Sequence, residues 1–161
     1  MYKNEEEMKK AALLIMYEWR QFYWADSIVN PDSRRAVQTR PMIDKVAQDA
    51  ALETFLLHAR VLRDFFSNSR PRPRNADTDI LAEDFFNTPG EWTKPTLKYL
   101  TETRSKERLD RALAHLSYDR ISYAETGKGW RTSLIADELI AAWAEFLGTL
   151  HADRKEWFLS V

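Results

Sequence analysis

Apolar residues recur with a helical period over most of the chain. From about Glu5 to Val29 they fall on one broad face, and three glutamates open this stretch, where a helix favours negative charge. The period resumes near Pro41, since proline is tolerated in the first turn of a helix, and continues to Phe65. Two more long helices are predicted, from about Thr96 to Tyr123 and from about Thr132 to near Phe158.

The segments between these helices carry turn and breaker residues. Breaks are predicted at 30–33, 87–90 and 127–129, and the short amphipathic stretch 79–86 is expected to dock as one or two turns. No segment alternates apolar and polar residues over a useful length, so we expect no strands. A length of 161 residues suits one core. The pattern predicts a single all-α domain over 1–161, a bundle of four to five helices.

Composition narrows the chemistry that this chain can perform. It contains no cysteine, which excludes disulfides, thiolate metal sites and cysteine nucleophiles. None of its three histidines has a glutamate three residues before it, so the Glu-x-x-His pairs of di-iron bundles are absent. We therefore expect neither a metal site nor another cofactor. The formal net charge is −1, so any binding of nucleic acid must use a local basic patch.

The chain lacks the features of a membrane or exported protein. Its longest apolar runs fall far short of the roughly 20 residues that cross a bilayer. The first residues are acidic, whereas a signal peptide begins with basic residues. We expect a cytoplasmic protein with no membrane partner.

The third long predicted helix carries a cationic stripe. Arg104, Arg108, Arg111 and His115 follow one another at spacings of four, three and four residues, which place side chains on one face of a helix. Arginine holds phosphate through charge-assisted hydrogen bonds, and the pKa of histidine lies near neutrality. The stripe predicts a site that binds a phosphate and transfers a proton. RNA supplies its own nucleophile in the 2′-hydroxyl group, so this site would need no metal to cleave it.

A structural interpretation of the same stripe remains open. Its arginines can pair with Glu102, Glu107 and Asp110 on a solvated face. His115 stands between two leucines and fits a partly buried residue bonded to a backbone carbonyl.

Other polar residues have a functional and a structural interpretation too. His58 lies on the apolar face of the second helix, as a satisfied core histidine or as a residue that meets His115. The Arg70–Arg74 loop is either a contact for a nucleic-acid backbone or a solvated connection. His151 is predicted near the end of the last helix, where a cation complements the dipole, and has no assigned function.

The first helix is aromatic on more than one side. Trp19, Phe22, Tyr23 and Trp24 are dense enough to fill both of its faces. A helix that is apolar nearly all round is buried in the core or against a partner. We favour a homodimer interface here.

The segment from Arg108 to His115 matches the motif of the HEPN superfamily, an arginine and a histidine separated by four to six residues. Beyond the motif, four further segments look like a set of uncharacterised bacterial HEPN-like proteins, namely 55–60, 62–66, 79–86 and 114–118. The resemblance implies a small helical bundle that dimerises and acts as a metal-independent ribonuclease in toxin–antitoxin, phage-defence or RNA-processing systems. It implies that Arg108 binds or orients the phosphate and that His115 does the acid–base work, in a site shared by two copies. The chain departs from the pattern at Leu109, where active members typically carry a polar residue.

The leading hypothesis is a HEPN-like homodimeric endoribonuclease in which Arg108 and His115 are catalytic and Arg104 and Arg111 bind the RNA backbone. Its expected partners are RNA, a second copy, and a cognate antitoxin or a defence-system protein. The alternative is a non-catalytic helical module that binds RNA or protein. A third hypothesis is a small-molecule sensor with a ligand pocket among the aromatic residues.

Overall fold

The computed structural model describes residues 4–31, 45–69, 79–88, 90–101 and 130–159. Every regular element in these ranges is helical: α1 (Glu5–Val29), α2 (Lys45–Ser67), a 3₁₀ helix (Ala82–Phe85), α3 (Lys98–Thr101), α4 (Thr132–Thr149) and α5 (Ala152–Leu159). The prediction of an all-α architecture is confirmed for this part of the chain. None of the helices described there has the length and apolar character needed to cross a membrane.

Helix α1 has the bounds that the sequence predicts. A capping box between Asn4 and Glu7 closes its amino-terminal end. The backbone N–H of Glu7 donates to the Asn4 side chain at 2.9 Å, and the backbone N–H of Asn4 donates to the Glu7 carboxylate at 3.0 Å. Helix α2 ends at Ser67, close to the predicted end, and its predicted start near Pro41 lies outside the described residues.

Helices α1 and α2 pack against each other in antiparallel orientation. Phe22 contacts Phe55 with ring centroids 5.0 Å apart, and Glu18, one turn earlier, contacts His58, one turn later. Moving along the interface toward the end of α1 therefore means moving toward the start of α2, as expected for antiparallel helices. The pair forms the largest helix contact in the described part of the chain.

A buried polar network ties the end of α1 to the start of α4. Asp26 is completely buried, and its carboxylate accepts a hydrogen bond from the Asn30 side-chain amide at 2.7 Å. The Asn30 side-chain oxygen accepts a second bond from the Thr132 hydroxyl, also at 2.7 Å. Because buried polar groups are costly unless they are hydrogen-bonded, this network orients the two helix ends.

Phe146 of α4 is the centre of the aromatic core. Its side chain is fully buried, and seven rings of the described residues have centroids 5.3 to 6.1 Å from its own: Phe65, Phe66, Phe85, Phe86, Trp92, Trp143 and Phe158. Most of these pairs are edge-to-face, which is favourable for aromatic rings. The cluster joins α2, α4, α5 and the segment around the 3₁₀ helix.

Two tryptophans extend this core to its neighbours. Trp92 donates its indole N–H to the Phe66 carbonyl at 3.0 Å, which fastens an irregular segment to the end of α2. Trp19 of α1 stacks on Trp143 of α4 with ring centroids 4.6 Å apart and planes 8° from parallel. The stretch 79–86 docks as predicted, through buried Leu81, Phe85 and Phe86.

The prediction of one helix from Thr132 to Phe158 is wrong. The chain turns at Leu150, which has extended backbone angles and is buried, so α4 ends at Thr149. The turn brings Phe158 of α5 back onto the core, 5.1 Å from the Phe85 ring and 5.3 Å from the Phe146 ring. His151 consequently precedes α5, where its carbonyl accepts the N–H of Lys155 at 2.9 Å, and does not lie in the last turn of a longer helix.

Truncation of the central ring is expected to remove much of the stability. Phe146→Ala deletes a fully buried ring with seven ring neighbours, and we expect the free energy of unfolding to fall by about 3–5 kcal/mol. Leu159→Ala, at a position that is 62% exposed, is the control and should change it by less than about 0.5 kcal/mol. Urea denaturation of both variants measures the difference. Equal effects would show that the ring cluster is not the centre of the stable core.

Candidate functional site

The four residues of the predicted cationic stripe lie outside the described residues. This applies to Arg104, Arg108, Arg111 and His115, and equally to the Arg70–Arg74 loop. The structure does describe α3, which covers the first residues of the helix predicted to carry the stripe and ends three residues before Arg104.

Helix α3 is held against α4 by apolar and polar contacts. Leu97 and Leu100 are buried, and the Thr101 hydroxyl donates to the Leu97 carbonyl at 2.7 Å. The backbone N–H of Tyr99 donates to the carboxylate of Glu138, with N–O distances of 3.0 and 3.3 Å. A carboxylate at the exposed N–H groups of a first turn satisfies them and complements the helix dipole. Glu138 therefore positions the start of the predicted site helix, a role that sequence reasoning missed.

His58 is the histidine that the structure describes at a helix interface. Its side chain is 11% exposed, and Nδ1 lies 2.6 Å from Oε2 of Glu18 on α1. The Tyr17 ring meets the imidazole edge-on, with centroids 6.0 Å apart. The interpretation as a satisfied core histidine is therefore supported, with a carboxylate from the neighbouring helix as its partner. The contact could not be predicted from local sequence patterns, since the two residues are 40 positions apart.

The Glu18–His58 pair also has a defined chemical capacity. A carboxylate at Nδ1 fixes the orientation of an imidazole, the arrangement that serves histidines acting as general bases or as metal ligands. Among the residues that the structure describes, however, no group of three histidine, aspartate, glutamate or cysteine side chains could hold a metal ion. With both side chains mostly buried between α1 and α2, the clearest role of the pair is to join these helices.

The remaining histidine, His151, lies near Glu91. Its Nε2 is 3.9 Å from Oε2 of Glu91, and both side chains are substantially exposed. A hydrogen bond from the Thr88 side chain is the main reason that the pKa of Glu91 lies below its usual range, and backbone N–H groups of Thr88 and Asn87 and the charge of His151 act in the same direction. The Asn87 N–H lies 3.1 Å from the carboxylate. These contacts stabilise the turn from Asn87 to Glu91, and they do not form a binding or catalytic site.

The described structure gives no support to a ligand pocket among the aromatic residues. The seven ring neighbours of Phe146 have centroids 5.3 to 6.1 Å from its own, distances at which aromatic rings are in contact. An open cleft of about 390 Å³ lies elsewhere, between the start of α1 and α5. Lys9 and Arg154 already lie over its Trp157 ring, 5.8 and 5.9 Å from the centroid.

Comparison with known proteins identifies no family for this chain. No protein-family model, no curated protein and no solved structure matches it. The HEPN resemblance accordingly stays a hypothesis that depends on the motif and on the helical architecture.

A double-mutant cycle is expected to show coupling between Glu18 and His58. Because the pair is mostly buried, we expect Glu18→Ala and His58→Ala together to differ from the sum of the single changes by about 1–3 kcal/mol in unfolding free energy. The matched control is the exposed pair Glu6 and Lys10, which has a similar N–O distance of 2.7 Å and an expected coupling of about 0.3–0.5 kcal/mol. Chemical denaturation of both cycles provides the comparison, and equal couplings would refute an anchoring role.

Acidification should remove the stabilisation that Glu91 provides. A carboxyl whose pKa is lowered on folding stabilises the native state above its unfolded pKa, and this contribution is lost as the pH falls through the folded pKa. From about pH 6 down to about pH 3, wild type should therefore lose more stability than Glu91→Gln, which lacks the titrating group. Thermal melting across this range measures both. Parallel losses would contradict the assignment.

Proposed function

We propose that this chain is a metal-independent endoribonuclease of HEPN type that acts as a homodimer, with Arg108 and His115 in its active site. The observation that carries the proposal is the stripe itself, in which a phosphate-binding arginine and a histidine stand seven positions apart on one predicted helix face. The helical architecture of the described residues is compatible with the bundle that the motif implies. The contact between Glu138 and the backbone of Tyr99 further supports a helix that starts at a defined place.

The proposed reaction uses the chemistry of the RNA backbone. His115 accepts the proton of a 2′-hydroxyl, and the 2′-oxygen forms a bond to the adjacent phosphorus while the bond from phosphorus to the 5′-oxygen breaks. The 5′-oxygen takes up a proton, so the products are a 2′,3′-cyclic phosphate and a 5′-hydroxyl end. Arg108 donates hydrogen bonds to the phosphoryl oxygens, which gain negative charge in the transition state.

Arg104 and Arg111 extend the same stripe and would bind neighbouring phosphates. Each contact of this kind increases the salt dependence of RNA binding, because phosphate neutralisation releases counterions. A site shared by two copies would line up two such stripes. In this proposal the enzyme belongs to a toxin–antitoxin or phage-defence system, and its further partner is an antitoxin or another protein of that system.

The second candidate is a non-catalytic helical module that binds RNA or a protein. The observation that favours it is on α1, where Tyr17 and Trp24 are 55% and 54% exposed. Large exposed apolar groups that lie together are typical of interaction surfaces.

Cleavage of a mixed RNA pool by the purified protein in EDTA tests the first proposal. Wild type should release fragments with 2′,3′-cyclic phosphate ends and should leave a fully 2′-O-methylated pool uncut, because that pool has no free nucleophile. His115→Ala and Arg108→Ala should each lower the rate by about 10²–10⁴-fold.

Two controls make this result specific. His151→Ala removes a histidine that is 54% exposed at its side chain and has no proposed role, so it should cut as wild type does. Thermal melting should show that His115→Ala remains folded. If wild type does not cut RNA, or if both stripe variants cut as fast as wild type, the stripe is structural and the interaction module becomes the better hypothesis.

A further inference from the structure

Helix α1 presents an exposed apolar strip on the side opposite its most buried residues. Leu13, Leu14, Tyr17 and Trp24 form this outer strip and are 50%, 59%, 55% and 54% exposed. At 100° per residue, Leu13, Tyr17 and Trp24 fall within a narrow arc, and Ile15 and Phe22, which are buried, fall on the opposite side. Leu14 lies about 80° to one side of this arc, and the Tyr17 ring also contacts His58 of α2. The strip is therefore a second apolar face that adjoins the contact with α2 at one edge.

The outer strip is large enough to form the centre of a protein interface. It extends about 16 Å along the helix, from Leu13 to Trp24. With roughly half of each side chain exposed, it presents about 500 Å² of surface, which is at the upper end for patches on monomers. Two such strips in contact would bury about 1,000 Å², the lower limit of a specific interface before flanking residues are counted.

The chemistry of α1 favours a protein partner over RNA. Asp26 is buried and Glu18 is bonded to His58, so the exposed charges of α1 are three glutamates and three cations that sum to zero. Such a surface has no excess of positive charge to attract a polyanion, whereas RNA binding depends on phosphate neutralisation by lysine and arginine. The leucines at one end of the strip add apolar area but no aromatic ring for a base to stack on.

We propose that the outer strip binds the same strip of a second copy, with the two α1 helices antiparallel about a two-fold axis. The order of residues makes the strip self-complementary. Positions 13 and 24 are equally far from the midpoint between residues 18 and 19, and so are positions 17 and 20. An antiparallel pair centred there places Leu13 against Trp24 of the partner subunit, and Tyr17 against Arg20 of the partner subunit.

Both contacts join compatible groups. Trp24 and Leu13 are apolar and half exposed, so each covers surface that water otherwise contacts. Arg20 is an exposed cation on the same side of α1, and a guanidinium over a tyrosine ring is a favourable cation–π arrangement. Each of the two contacts occurs twice in the dimer, because the two-fold axis relates one copy of the contact to the other. A parallel pair would instead oppose Arg20 to Arg20 and bring like charges together.

This inference gives the proposed homodimer a contact surface, and mass measurements test it without any RNA. Light scattering on a sizing column, across a dilution series, should show a dimer of wild type. Trp24→Glu should raise the dimer dissociation constant by about thirtyfold or more, since a central aromatic residue is replaced by a charge. Leu159→Glu, at a position 62% exposed on α5, is the matched control and should dimerise as wild type does.

Engineered thiols test the antiparallel register. The chain has no native cysteine, so Leu13→Cys and Trp24→Cys each carry a single reactive group. A short bis-maleimide should join a mixture of these two variants into a mixed dimer and should give far less product with either variant alone. Val46→Cys, which is 77% exposed on α2, should not cross-link to either one.

Several results would overturn the inference. A monomeric wild type, or a dimer that resists Trp24→Glu, would show that the outer strip is not the interface. Thermal stability of a monomeric Trp24→Glu variant below that of wild type diluted to its monomeric state would assign the strip to a contact within the chain. Weaker RNA binding by that variant, without a change of mass, would assign it to RNA. Cleavage of RNA by a protein that stays monomeric would leave the roles of Arg108 and His115 standing, and would remove both this interface and the shared dimeric site.

Discussion

The packing of seven rings around Phe146 is the interaction on which the described structure depends. Helix α2, the 3₁₀ segment, Trp92 and α5 meet α4 through this residue, and no backbone ladder connects them. Edge-to-face contacts restrict how the rings can pack, so the positions of the short elements follow from the cluster. The turn at Leu150 is one result, because a straight continuation of α4 would carry Phe158 away from the rings.

The polar contacts add orientation to this apolar core. Glu18 reaches His58, Glu138 reaches the backbone of Tyr99, and Asn30 bridges Asp26 and Thr132. Each joins two separate segments and is at least partly buried, so a shifted helix would leave polar atoms without partners. The contact of Glu138 matters most for the proposed function, because it connects α4 to the first turn of the helix that is predicted to carry Arg108 and His115.

Sequence patterns predicted much of the fold and less of the site. The bounds of α1 followed from its period and from the acidic first turn, both of which are local signals. The break between α4 and α5 was missed, since the apolar period continues through Leu150 and only the tertiary contact of Phe158 explains the turn. The partners of His58 and Tyr99 were missed because they lie 40 and 39 positions away in the chain. The roles of Arg108 and His115 still depend on their spacing in the sequence, since both lie outside the described residues.

The bond between Thr132 and Asn30 has a consequence for the order in which the molecule assembles. It joins residues 102 positions apart, and the stacked rings of Trp19 and Trp143 join the same two helices over a similar separation. Contacts of such long range form only after the intervening chain has lost much of its freedom, and chains rich in them fold slowly for their size. During synthesis α1 therefore leaves the ribosome well before α4 exists to receive it, and in that interval the Trp19 ring lacks the Trp143 ring on which it stacks in the complete fold.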